Sequence, residues 1–451
     1  MLRQTGPSFG GTVGADERGP LKWLLIAALA VYTAVFLFFV YETRVLRPFA
    51  DQLDLVLFYF QHQEHGGIFN HLLDPHTVHR LPFYRLLIAF DIRVFDGSGL
   101  PFIGVAVLCF AGLAALLLRE AAGSADGMVK LVVLVLSLRF LVSSSTAANL
   151  SVPANTPAVH ALFFAVLTIV LAEQSERSPR VAIGWRRVGA LASAVAAAFS
   201  NAVGLVLWPL LAFKAWRGGR DDRIWLALVL VFGLAFGVTY LAGQNDVDGG
   251  TAYGVAAMGK AVDYFFAYLG LPWARAIGPE GRLIGIAVFA ASLFAIATKG
   301  RQGASRPERI AVALIVLTLG TALLAAVARK DVSELVDVPA RYRIYVAPMH
   351  IGLLMLAAPW MERQWALRRR AAATVVVLLV SVLLVQQVMV GTVAAAAAER
   401  ARATITAFRQ GARHPDMRWL IYPDTRHAQS IYEEMGRRRI YYQGPGARPP
   451  P

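Results

Sequence analysis

Apolar runs of membrane-spanning length alternate with short charged segments along most of this chain. A helix needs about 20 such residues to cross roughly 30 Å of hydrocarbon, where every backbone polar group must be bonded within the segment. The pattern predicts spans over residues 23–41, 100–118, 128–145, 158–174, 224–242, 282–298, 309–328, 343–360 and 371–393. The apolar stretch 187–216 is short for two full crossings at about 1.5 Å per residue. It predicts a hairpin of short helices whose apex, SNAVG at 200–204, carries the polar and flexible residues of helices broken inside a membrane.

Counting the hairpin as two helices, the chain reads as an all-α polytopic membrane protein with about 11–12 transmembrane helices. The first run follows Arg18 and Lys22 and offers Ala28 and Ala30 as a small-x-small cleavage site. It continues to Val40, which is the length of an uncleaved anchor rather than of a signal peptide. No convincing internal repeat accompanies the spans, which weighs against an inverted-repeat transporter.

Basic residues cluster on one side of this threading: Arg18 with Lys22, then 177–187, 214–223, 299–309 and 363–370. The positive-inside rule makes that side the cytoplasm. The N-terminus is then cytoplasmic, residues 42–99 form a large first extracytoplasmic loop, and 394–451 form a small extracytoplasmic tail beyond a transmembrane unit over 21–393. Two external segments, PFYRLLIAFDIRVF from Pro82 and KAVDYFFAYLGLPW from Lys260, mix apolar and charged faces as helices lying along a membrane surface do. From Ala394 the last helix is expected to continue outward, followed by a strand over MRWLIYP and a helix over HAQSIYEEMGRRR. The first 20 residues and the proline-rich end, GPGARPPP, have the composition of disordered segments.

Composition agrees with this picture: of 451 residues, 57% are hydrophobic and 16% charged. Mean hydropathy is +0.53, far from a soluble globular mix. The formal charge of +15 sits in the loop clusters that orient the chain, so it does not point to nucleic acid. A single cysteine, Cys109, excludes an internal disulfide and a multi-cysteine zinc site.

Candidate chemistry concentrates in the first loop. Asp51 and Asp54 are three residues apart, on one face of a helix, where an acid outside the membrane can deprotonate an acceptor hydroxyl or coordinate a divalent cation. A helix start whose acids favour the positive dipole end gives the same pattern. Residues 62–82, HQEHGGIFNHLLDPHTVHRLP, hold five of the nine histidines, four of them in two H-x-x-H pairs, His62 with His65 and His76 with His79. With His71, Glu64 and Asp74 as further ligands, zinc is chemically conceivable, and a metal at His76, His79 and Asp74 is the minority reading. Arg80 is placed to grip a phosphate at the membrane surface or to snorkel to lipid headgroups. Arg329, Lys330, Arg341 and Arg343 sit on the side where the orientation rule disfavours cations, which invites an anionic ligand, although Asp331, Glu334 and Asp337 offer local neutralisation.

Read in order, these pieces resemble the GT-C membrane glycosyltransferases and their uncharacterised bacterial relatives. The likeness rests on ADQLDLV after the first span, PHTVHRL at 75–81, SNAVGLVLWP at 200–209, YFFAYLGLPW at 264–273, ARYRIY at 340–345 and WLIYP at 419–423. It implies a GT-C-like bundle in a bacterial inner membrane, a polyprenyl-phosphate sugar donor and an extracytoplasmic glycan, lipid or protein acceptor. On that resemblance Asp51 is the first-loop acid that activates the acceptor, with Asp54 beside it. His76, His79, Arg80, Arg341, Tyr342 and Arg343 then face substrate. The sequence departs from the family motif at Thr77 and Val78, where an asparagine and a glutamate are expected, and at Leu53, where a tryptophan is expected. If that glutamate matters, Asp54, Asp74 or Glu64 has taken its role, or activity is lost. A transporter or flippase of a lipid-linked sugar and an inactive GT-C-like binding protein are the alternatives, and a structural zinc-binding membrane protein stands third.

Overall fold

A computed structural model describes residues 19–48, 51–64, 67–74, 80–175, 184–218, 222–241, 255–273, 281–300, 304–328, 340–409 and 425–440. Among them there is no strand, and nine helices are long and apolar enough to cross a membrane. Within those spans lie α1 (Gly19–Glu42), α4 (Leu100–Ala122), α5 (Gly127–Leu141), α7 (Pro157–Ser175), α10 (Arg223–Leu241), α12 (Gly281–Lys299), α13 (Arg306–Ala328), α14 (Arg343–Leu367) and α15 (Arg369–Arg409). They coincide with the nine full-length windows of the sequence. The chain is an all-α, multi-pass membrane protein.

The hairpin is also present, as α8 (Trp185–Ser200), a 3-10 segment (Ala202–Val206) and α9 (Leu207–Arg217). Asn201 breaks the helix in an extended conformation and accepts the Val203 backbone N–H on its side chain. Gly204 is required by contact rather than by flexibility. A Cβ there would stand 2.2 Å from the backbone nitrogen of Ala198, so only glycine lets the two arms close.

One end of the bundle is tied by ion pairs, two of them centred on the buried carboxylates Glu120 and Glu173. Glu120 binds Arg306 and Arg119, Glu173 binds Arg309 and Lys214, and Arg187 binds Asp222. These join the basic clusters that the orientation rule grouped on one side. The two buried carboxylates, Glu120 and Glu173, are each shared between two cations, which offsets the cost of removing them from water.

At the other end the chain builds a second apolar core, apart from the main one. It joins α2 (Asp51–Glu64) and α3 (Pro82–Phe95) to the far end of α15 and to α16 (Thr425–Arg437). Leu53, Val56, Tyr84 and Ile88 pack there against Ile405, Phe408, Ile431 and Met435. The 41 residues of α15 extend about 60 Å, twice the hydrocarbon thickness, so its last half projects beyond the bundle to reach this core. Arg402 fastens it by donating through Nη1 to the carbonyls of Glu42 at 2.9 Å and Arg44 at 3.0 Å. The first loop and the tail therefore share one side of the protein. The expected strand at MRWLIYP lies outside the described residues, as do residues 1–18 and 441–451.

Candidate functional site

The helix α2 starts at Asp51, so Asp51 and Asp54 fall three residues apart in a helix, as the spacing predicts. Asp54 is half-buried. Gln52 between them is 1% exposed, and neither atom of its amide has a hydrogen-bond partner among the described residues. His76 and His79 lie outside the described residues, together with Thr77, Val78, His65, Arg329 and Lys330.

Beyond α2 the chain reverses. Gly67 has φ +92, a left-handed backbone that a side chain rarely adopts, and its N–H bonds the His62 carbonyl at 2.9 Å. The following 3-10 turn (Ile68–His71) is thereby folded back over α2, and the rings of His62 and His71 meet with centroids 3.9 Å apart. The sequence paired His62 with His65, which lies outside the described residues; the turn brings His71 to His62.

Two arginines clamp this turn. Arg85, 1% exposed, donates through Nη1 to the carbonyls of His71 at 2.7 Å and Leu72 at 3.0 Å, and its guanidinium lies 3.8 Å over the Phe58 ring. Burial pushes the Arg85 guanidinium down to about 10, with Arg80 adding to the effect and Asp74 opposing it, so it stays charged at neutral pH. Arg80 gives Nη1 to the Leu73 carbonyl. That arm of Arg80, read from the sequence as a phosphate grip, is thus engaged in holding the loop. Arg85 was hidden in the amphipathic run; one arginine among its buried apolar positions was the available signal.

Arg80 also connects to the membrane bundle. Its backbone and guanidinium act on the hydroxyl of Tyr240, which donates to the Ala198 carbonyl at 2.6 Å, beside the hairpin apex. Nearby, the rings of Tyr345 and Tyr342 pack with centroids 6.3 Å apart. Tyr342 in turn packs on Tyr268 with ring centroids 5.9 Å apart, and Tyr268 on Tyr264 at 6.4 Å. A short 3-10 segment (Ala340–Tyr342) leads into α14 here. Arg341 is exposed, Tyr342 half-buried and Arg343 buried at 2%.

The hydroxyls of Tyr268 and Tyr345 are buried without a hydrogen-bond partner among the described residues. So are both ring nitrogens of His160, whose ring meets Phe83 edge-on at 5.3 Å. A buried polar group left unmade costs on the order of 1–3 kcal/mol, and several in one neighbourhood mark a place built for a polar guest or ordered water.

The run 143–156, SSSTAANLSVPANT, closes the other side as short helical turns, among them α6 (Ala148–Ser151). Ser143, Ser144, Ser145, Thr146, Asn149, Ser151 and Thr156 are all buried. Asn149 donates through Nδ2 to the Arg341 carbonyl at 2.9 Å, while its Oδ1 has no partner among the described residues. The sequence reading passed over this segment, although its density of small hydroxyl residues between two spans was the visible sign. No protein-family model, curated protein or solved structure matches the chain.

Proposed function

We propose that this protein is a membrane glycosyltransferase of GT-C type. It moves a sugar from a polyprenyl-phosphate donor to an extracytoplasmic glycan, lipid or protein acceptor, in a bacterial inner membrane with a cytoplasmic N-terminus. The observation that carries the reading is convergence. Segments far apart in the sequence come together in pairs: Arg80 and Ala198 meet at Tyr240, and the tyrosines of 264–268 and 342–345 pack ring against ring.

On this reading Asp51 removes the acceptor proton, with Asp54 on the same face of α2. The departing phosphate is stabilised by the cations around Arg341, and the tyrosine hydroxyls and the buried serine and asparagine groups orient the sugar. The same reading assigns His76 and His79, just before Arg80 in the sequence, to substrate binding. A lipid-borne phosphate at the membrane boundary suits this arrangement, because the polar neighbourhood adjoins apolar spans that accommodate a polyprenyl tail.

A transporter of a lipid-linked sugar would use the same cations without needing the acid. The two separate on three variants assayed together in proteoliposomes. Transfer lost in Asp51→Asn with donor binding kept supports the transferase. Function kept in Asp51→Asn but abolished in Arg341→Ala and Arg80→Ala refutes it in favour of binding or transport.

A further inference from the structure

The turn at Gly67 creates a cluster that the transferase reading does not use. His62, His71 and Asp74 each place one ligand-type atom within 4.8 Å of the others, and all three are half-buried, at the margin where an ion can enter. Their hydrogen bonds define their chemistry. His62 Nδ1 lies 2.8 Å from the Phe58 carbonyl, which can only accept, so the ring carries its hydrogen there and keeps a lone pair on Nε2. That is how a metal-binding histidine is held, with its second nitrogen fixed by an outer acceptor.

His71 Nδ1 lies 2.9 Å from the Asp74 carboxylate oxygen. Two atoms bound to one ion at roughly 2.0–2.2 Å each stand about that far apart, so an ion can take the place of the single proton between them. The geometry points to a divalent-metal site formed by His62, His71 and Asp74, taking zinc or a zinc-like ion.

Two imidazoles and one carboxylate select zinc over magnesium or calcium, which prefer an all-oxygen shell. Three protein ligands leave a fourth position for water or an anionic oxygen, as in open rather than purely structural zinc sites. The support is rigid on both sides. His62 packs at a tilt on Phe58, with ring centroids 4.0 Å apart, and Phe58 carries Arg85. Arg85 in turn holds the backbone carbonyl of His71. Its positive charge opposes a cation nearby, and Asp74, with which it interacts, supplies the compensating anion. The site shares Asp74 with the His76 and His79 reading but replaces both of its histidines, and it stands or falls independently of glycosyl transfer.

The test is direct metal binding to the full chain purified in detergent, stripped with chelator and dialysed against zinc chloride. The wild type is expected to retain one zinc per chain. His62→Ala, His71→Ala and Asp74→Asn should each bind at least about tenfold more weakly, while the tail variants His414→Ala and His427→Ala bind as wild type. Cobalt chloride should give the wild type, and not His71→Ala, the visible absorption of a low-coordinate site. Size-exclusion profile and helical circular dichroism confirm that the variants fold, and Asp74→Asn keeps the side-chain volume. Absence of stoichiometric zinc in the wild type overturns the inference. So does zinc that survives in His62→Ala and His71→Ala but is lost in His76→Ala with His79→Ala.

Discussion

Asn149 donates a hydrogen bond through Nδ2 to the main-chain carbonyl of Arg341, 2.9 Å away and 192 residues along the chain. It is a link between the serine-rich turns after α5 and the segment that carries Arg341 and Arg343. Asn149→Ala removes the donor and strands a carbonyl, at a cost on the order of 1–3 kcal/mol. A lower melting temperature and weaker donor binding are expected together. An unchanged binding isotherm would show that the link does not position Arg341.

The hydroxyls of Tyr268 and Tyr345 offer a sharper case, because they are buried and make no hydrogen bond among the described residues. Replacing either by phenylalanine removes an unsatisfied polar atom, so Tyr268→Phe and Tyr345→Phe should melt at the same temperature as wild type or higher. If the hydroxyls wait for a sugar, the same variants transfer more slowly. Thermal melts and rates on one preparation of each variant decide it; loss of stability with unchanged rate would make the hydroxyls structural.

Asp91 on α3 predicts a pH effect. Burial raises its carboxyl from 3.8 to about 6, against hydrogen bonds from the Gly99 N–H and Ser98 hydroxyl. Between about pH 4 and 6 the native group holds a proton that the unfolded chain has released. Its contribution is therefore full below pH 4 and lost as pH rises through 6, by at most about 3 kcal/mol. Melting temperature measured across that window should fall less steeply with rising pH in Asp91→Asn than in wild type. Identical slopes would exclude Asp91 as the source.

Gly204 predicts a packing failure. A methyl group at this position meets Ala198 backbone at 2.2 Å, and backbone cannot rotate aside as a side chain does. Gly204→Ala should destabilise by about 1–3 kcal/mol or more and loosen the hairpin beside Tyr240, read as a lower melting temperature and faster hydrogen exchange in α8 and α9. Wild-type exchange in both helices would contradict the contact.

The spans were legible because hydrocarbon permits little besides an apolar run of about 20 residues, and even the short hairpin announced itself by length. The continuation of the last helix past Ala394 and the helices after Pro82 and Lys260 were equally readable from their patterns. Long-range packing was not. Nothing local to Ile405 or Ile431 says that they meet Leu53 and Ile88 in one core, since that depends on how far α15 projects. The histidines show the same limit. No spacing rule pairs His62 with His71, nine residues on, whereas one left-handed glycine at 67 brings His71 over His62. Arg85 was invisible as an anchor because an arginine within an amphipathic helix reads first as a solvated residue.

The central claim, that Asp51 drives sugar transfer, is tested most directly by incubating wild type and Asp51→Asn with radiolabelled polyprenyl-phosphate sugars and membrane acceptors. Labelled glycan from the wild type, and none from Asp51→Asn at equal donor binding, is the predicted result. Donor bound but no label transferred by either protein, across a broad acceptor panel, would contradict it.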